Sequence, residues 1–277
     1  MNSEAIDINS THGNRLHPVT DQLGKLIHLP LTPRRIVSLV PSQTELLFDL
    51  GLNENVVGIT KFCIHPSEWF RTKTRVGGTK KINIDIIRNL RPDLVIANKE
   101  ENTLEDVSAI EEFCPVWTSN ISSCQEAIDM IKRIAEITQT GSKADDLINA
   151  IEKEFSSLSF TYQYRTAYMI WKDPWMAAGG DSFISDMMKA CGFINILQHS
   201  SRYPTISWED LKQNNIEVLL LSSEPYPFDM KHLEEISKIL PEVEIRLVDG
   251  EMFSWYGSRL LLAPGHFRTL RKTLSRG

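Results

Sequence analysis

Nowhere does the chain offer about 18 uninterrupted apolar residues, so no transmembrane helix is predicted. It also lacks excess positive charge. Lys and Arg number 30 against 36 Asp and Glu, a net charge of −6, and no basic stripe interleaved with aromatics breaks that balance. A broad nucleic-acid surface, which works by neutralising phosphates, is therefore excluded. The four cysteines, Cys63, Cys114, Cys124 and Cys191, form no CxxC pair, which removes the spacing of a zinc site and leaves reduced, buried thiols as the plainer reading beside a single disulfide. Seven histidines sit singly, with no metal-ligand spacing. There is no GxSxG elbow, no GxGxxG after a strand, no P-loop and no HExxH. Residues 1–35 contain neither an apolar core of signal-peptide length nor a cationic start before one, so the chain as written is expected to be cytoplasmic.

What is present is the composition of an ordinary soluble protein. The 277 residues are 42% hydrophobic and 24% charged, long enough for two lobes of roughly 120 residues, each with its own core. RRIVSLV reads as a buried strand that opens into a helix, TELLFDL, ending at Gly51. Ser42 and Glu45 have the spacing of a capping box. VVGIT is a second strand, INIDIIRNL a short helix, and DLVIAN a strand that is apolar without alternation, as expected beneath helices on both sheet faces. Two helical stretches follow, Gln125 to Gln139 and Lys143 to Ser157; in the second, Ala144, Leu147, Ile148, Ile151 and Phe155 form one stripe. The alternation then resumes with TAYMIW, SFISDMMKA, SWEDLKQN and EVLLLSS. The pattern predicts an α/β fold with parallel sheets.

The second half repeats the plan of the first. IDIIRNLRPDLVIANKE, from Ile84, and WEDLKQNNIEVLLLSSE, from Trp208, align without a gap at an offset of 124 residues (208 − 84). Asp85 then falls on Glu209, an acidic residue early in the matching helix of each half. The expected organisation is residues 1–17 flexible, 18–124 an N-terminal lobe, 125–160 a helical connector and 161–277 a C-terminal lobe.

Ligands of open α/β sheets bind at the carboxyl ends of the strands. Those loops carry Ser42 and Gln43, Lys80, Lys99 and, in the second half, Trp171, Trp175, Tyr203, Glu224, Phe253, Trp255 and Arg259. If the lobes face each other, these line a cleft with an aromatic and a charged wall, suited to a large ligand with flat apolar surface and polar edges. The competing reading makes Trp171 and Trp175 core plugs at the base of the second lobe. Glu100, Glu101, Glu224 and Glu251 read as solvated or ion-paired loop carboxylates and not as an acid/base pair. No protein-coordinated metal, intrinsic cofactor or catalytic residue is assigned.

VTDQLGKLIHLPLTPRRIVSLVPSQTELLFDLGL and VGGTKKINIDIIRNLRPDLVIA resemble the N-terminal lobe of the helical-backbone solute-binding proteins of ABC importers, which serve cobalamin, siderophores and haem. The GGDSFISDMMKACGF and SSRYPTISWEDL stretches are most similar to the cobalamin binders. The resemblance runs from Pro18 onward. It implies two α/β lobes, with parallel sheets flanked by helices, joined by one long interdomain helix, as in class III periplasmic binding proteins. It also implies a non-catalytic monomer that takes cobalamin, a ferric siderophore or haem and docks on an ABC permease through Asp85 and Glu209. Asp85 is shorter than the glutamate usual there; Tyr203 stands in for a cleft tryptophan, and Thr79 for an aromatic residue of the first lobe. Family membership implies a periplasmic location, against the cytoplasmic reading of the chain start. The alternative is a cytosolic carrier, sensor or salvage enzyme for a corrinoid or tetrapyrrole.

Overall fold

The computed structural model describes residues 16–275. Packing divides the chain into two compact units. One takes the chain up to Val40, Leu52–Ser119 and Glu136–Gln139; the other takes Pro41–Gly51, Asn120–Ala135 and everything from Thr140.

The first unit opens with an antiparallel hairpin, β1 (Leu16–Thr20) and β2 (Leu26–Pro30). Residues 16 and 17 thus begin a strand, while the rest of the segment expected to be flexible lies outside the described residues. The core strand β3 (Ile36–Ser38) follows and is wholly buried. It leads into helix α1 (Pro41–Asp49), which the sequence pattern places in the N-terminal lobe but which packs within the second unit. Then come β4 (Val56–Ile59), α2 (Ser67–Thr72), β5 (Thr74–Arg75), α3 (Ile84–Leu90), β6 (Leu94–Asn98), α4 (Leu104–Glu111) and β7 (Val116–Ser119). The sheet is parallel, in the order β5-β4-β3-β6-β7. All five residues of β6 and all four of β7 are buried, which is why neither alternates: helices cover both faces.

The second unit holds α5 (Cys124–Thr138) up to Ala135, then α6 (Gly141–Ser156), the longest helix among the described residues. Of the predicted α6 stripe, Ala144, Ile148 and Ile151 are buried. The remaining elements are β8 (Tyr164–Trp171), β9 (Met176–Ala177), α7 (Phe183–Ala190), β10 (Phe193–Asn195), α8 (Trp208–Gln213), β11 (Val218–Ser222), α9 (Met230–Ile239), β12 (Glu244–Val248), α10 (Glu251–Ser254), a 3-10 turn (Ser258–Leu261) and α11 (Ala263–Lys272). Parallel strands run β10-β8-β11-β12, with β9 antiparallel on β8. Leu219 and Leu221 of β11 are fully buried in a cluster with Ala167, Met169, Leu211 and Ile236. Each buried leucine contributes roughly 1.5–3 kcal/mol to folding.

Leaving aside the short strands β5 and β9, the two sheets share one connectivity. Of the four remaining strands in each, the first lies between the second and third, and the fourth lies beyond the third: β4-β3-β6-β7 matches β10-β8-β11-β12. The offset of 124 residues holds at element level, since α3 begins at Ile84 and α8 at Trp208, while β6 begins at Leu94 and β11 at Val218.

The Gly179-Gly180 turn shows why glycine is required there. The two N–H groups donate to the carbonyls of Arg202 and Ser200, each at 2.8 Å. A Cβ on Gly180 would lie 1.9 Å from the Gln198 carbonyl oxygen and one on Gly179 2.4 Å from that of Ser200. Substituting Gly180→Ala is expected to destabilise the fold by about 2–4 kcal/mol. The effect will appear as a lower urea midpoint at unchanged denaturant slope.

Candidate functional site

In the first unit the carboxyl ends of the strands are tied together by two buried asparagines. Asn98, the last residue of β6, donates through Nδ2 to Ser119 Oγ at 2.9 Å and accepts at Oδ1 from the N–H groups of Glu100 and Glu101. Asn102 accepts from the Asn98 N–H at 2.9 Å and donates to the Thr79 carbonyl at 3.0 Å. This network fixes three loops whose backbones would otherwise be orphaned. On that base stand exposed side chains. Lys80 donates to the Glu100 carbonyl, and Lys99 is exposed. Phe62, 49% exposed, lies against Gly78, and Ile64 is 45% exposed. The sequence offers no marker for Phe62, because exposure of an aromatic is a tertiary property; its position just after β4 is the available signal.

The carboxyl end of the second sheet carries an aromatic cluster. Trp171, the last residue of β8, is 41% exposed and meets Tyr226 edge-on, with centroids 5.7 Å apart. Trp175 packs edge-on to Trp208 at 4.9 Å and stacks on Phe228 at 6.1 Å. It is a half-buried flank of the core cluster, so the core-plug reading describes Trp175 and not Trp171. Tyr203 is half-buried on the loop whose Pro204 carbonyl accepts from Ala177.

Other predicted residues are turned inward. Phe253 is fully buried, 5.2 Å from Tyr168 and 4.9 Å from Phe267; it is core, because consecutive residues of α10 cannot all face a ligand. Ser42 and Gln43 are buried as well. The capping box expected of Ser42 and Glu45 is replaced: α1 begins at Pro41, and both Glu45 oxygens accept from Arg259, at 2.9 Å from Nε and 2.6 Å from Nη2. Arg259 Nη1 also pairs with Glu251 at 2.9 Å, and the guanidinium stacks 5.1 Å from the Trp255 ring. With 8% of its side chain exposed, Arg259 is a buried tie and not a ligand donor. Trp255, 8% exposed, donates through Nε1 to Glu224 Oε1 at 2.8 Å, which also accepts from Ser254 Oγ at 2.7 Å.

Burial holds the Glu224 carboxyl above the ordinary glutamate range. The hydrogen bonds from Ser254 and Trp255 oppose that shift, while the charges of Glu251 and Asp249 add to it. Burial also pushes the Cys124 thiol up to about 11 and the Cys114 thiol up to about 12, so neither is a thiolate nucleophile at neutral pH. Among the described residues no cluster of three His, Cys, Asp or Glu is placed to hold a metal ion.

Asp85 and Glu209 occupy the second position of α3 and α8, after the caps Asn83 and Ser207. Both are exposed, and an acidic side chain in a first helical turn complements the helix dipole.

The model of the family described as periplasmic binding protein matches residues 36–242. The chain belongs to that family. A vitamin B12-binding protein of Photorhabdus laumondii is 23% identical over 237 residues, covering 83% of this chain and 85% of that protein. The vitamin B12-binding protein of Vibrio parahaemolyticus is 24% identical over 194 residues, 68% of this chain and 70% of the relative. Among solved structures, the periplasmic vitamin B12-binding protein of Vibrio cholerae superposes with a TM-score of 0.72 at 21% identity, covering 88% of this chain and 98% of that one. The periplasmic haem-binding protein of the same organism gives 0.74 at 20%, covering 86% and 98%. This member thus has the family's fold of two α/β lobes with parallel sheets flanked by helices. No helix of the described residues is long and apolar enough to cross a membrane.

The buried carboxylates set two expectations. Because the folded-state pKa of Glu224 is raised, the native state binds more protons than the unfolded one above the ordinary glutamate value of about 4.3. Stability therefore falls as pH rises through that window. Glu224→Gln should flatten this slope in urea titrations at a series of pH values and raise stability at neutral pH. Arg259→Met, which removes the guanidinium from Glu45 and Glu251, should lower stability by about 1–3 kcal/mol by the same measurement.

Proposed function

We propose that this chain is a non-catalytic solute-binding protein for cobalamin or a similarly bulky metal chelate, which it delivers to an ABC-type importer. The observation that carries the reading is Trp171, a large apolar ring held open to solvent at the carboxyl end of β8 and braced edge-on by Tyr226. An aromatic face open to solvent at the carboxyl end of a parallel strand, where ligands of open α/β sheets bind, is placed to stack on a flat ligand surface. The vitamin B12-binding relatives supply the ligand class. Protonated thiols and a Glu224 carboxyl already committed to Ser254 and Trp255 support binding without covalent chemistry. Asp85 and Glu209, exposed at matching helix starts, are the proposed contacts with cationic side chains of the permease; rim charges of this kind steer and orient encounter.

Thermal unfolding with cyanocobalamin, haemin or a ferric siderophore tests the ligand. At about 100 times its dissociation constant the true ligand adds ~2.7 kcal/mol, a rise of roughly 5 °C or more for a chain of this size. No shift with any of them would sink the proposal. Trp171→Ala should weaken binding about tenfold, the loss of ~1.4 kcal/mol expected for one ring face. Asp85→Lys with Glu209→Lys should leave ligand affinity unchanged and abolish transport in reconstituted vesicles.

A further inference from the structure

We propose that helix α9, which supplies none of the residues read as ligand contacts, positions the ligand-facing loop of the second unit through two side chains, His232 and Glu235. This rests on the solute-binding reading above and names the residues that set the shape of its aromatic wall.

The first arm runs from His232 to Trp171. The α9 cap Asp229 forms a capping box with His232: Oδ1 accepts from the N–H groups of Lys231 and His232, and the Asp229 N–H donates to His232 Nδ1 at 3.1 Å. The ring is thereby fixed at the start of the helix. Its other nitrogen, Nε2, is 3.1 Å from the Tyr226 hydroxyl, and the two rings meet edge-on at 5.4 Å. Tyr226 is pinned at its backbone too, its N–H donating to the Ile170 carbonyl at 3.3 Å, and its ring is the edge on which Trp171 rests at 5.7 Å. The exposed indole is the end of a chain that starts at a helix cap.

The second arm begins one helical turn further on. Glu235 accepts from Lys172 Nζ at 2.7 Å, and the same ammonium lies 5.0 Å from the centre of the Trp175 ring. The Glu235 hydrogen bond also raises the Lys172 pKa. Lys172 and Trp175 both belong to the loop that follows Trp171, so α9 braces Trp171 through Tyr226 and the loop after it through Lys172, from two positions three residues apart along the helix. A preformed wall needs such props, because an indole free to change rotamer loses conformational entropy each time it is trapped by a ligand.

The test uses the full chain labelled with fluorotryptophan, the Trp171 and Trp175 resonances being assigned by their loss in Trp171→Phe and Trp175→Phe. Tyr226→Phe keeps the ring and the helix cap but removes the hydroxyl that meets His232. It should shift and broaden the Trp171 resonance and weaken cyanocobalamin binding about 3-fold to 10-fold, as should His232→Ala. In a Trp171→Ala background either change should weaken binding less than twofold further. Glu235→Ala should move the Trp175 resonance and cost about twofold to threefold. A merely structural helix cap predicts lower thermal stability for His232→Ala with no effect of Tyr226→Phe on the Trp171 resonance, and that result overturns the inference. Equal losses in the presence and absence of Trp171 overturn it as well. If the wild-type chain binds none of cyanocobalamin, haemin and a ferric siderophore, the solute-binding reading fails, and the fluorine resonances alone then decide whether α9 positions the loop.

Discussion

One guanidinium organises the carboxyl edge of the second unit. Arg259 is buried between Glu45 of α1 and Glu251 of α10 and lies over Trp255, whose indole N–H is spent on Glu224 at the end of β11. Glu45 and Glu251 share the Arg259 guanidinium, while Glu224 is held by the neutral donors Ser254 and Trp255. Removing one partner of a network of this kind weakens the places of the others. The raised pKa of Glu224 comes first from its burial, with the charges of Glu251 and Asp249 adding to it. The network also explains why four residues with the look of a ligand-binding cluster form a framework: Glu224, Phe253, Trp255 and Arg259 use donors, acceptors and ring faces on each other and on the core.

The first unit meets the same problem with neutral groups. Asn98 and Asn102 satisfy loop N–H and carbonyl groups from β6, β7 and the Thr79 loop. Position 98 corresponds to Ser222 under the offset of 124 residues, and Ser222 likewise bonds within its own strand-end loop, to the Glu224 carbonyl at 2.5 Å. Duplicated connectivity thus brings a duplicated role, in which the residue that ends each of the matching strands β6 and β11 pins the loop that follows. The side chains differ because Ser222 must also receive the Tyr168 hydroxyl at 2.9 Å, in a place where a Cβ on Gly250 would already collide with it.

Buried strands and capped helices are legible in the sequence because their signals are local. β6 and β11 announce themselves as unbroken apolar runs, and the α8 helix falls where SWEDLKQN is read. Glu45 misleads for the opposite reason. Its spacing from Ser42 fits a cap, but its carboxylate is claimed by an arginine 214 positions away, a competitor that no window of sequence contains. β7 and β12 escape notice because four or five residues between helices give too little periodicity to separate strand from loop. Exposure is the least legible property. Nothing in the string of letters distinguishes Trp171, open to solvent, from Trp175, four residues on and packed against Trp208 and Phe228.

That difference between two tryptophans bears on how a binding surface is kept in a folded chain. An aromatic ring left in water forgoes its burial energy, so an exposed one persists only where neighbours prevent it from collapsing inward. Trp175 illustrates the collapse: rings stand beside it at Trp208 and Phe228, and it turns to them. Trp171 has the edge of Tyr226 on one side, and Tyr226 cannot retreat because its hydroxyl meets His232, itself locked to the Asp229 cap. The inner positions beside Trp171 are thus already filled by side chains with polar commitments. Exposure at this site is imposed from behind, by a helix whose own surface does not resemble a binding site, which is why the aromatic residues of the strand-end loops name Trp171 and Trp175 together but do not tell which of them stays open.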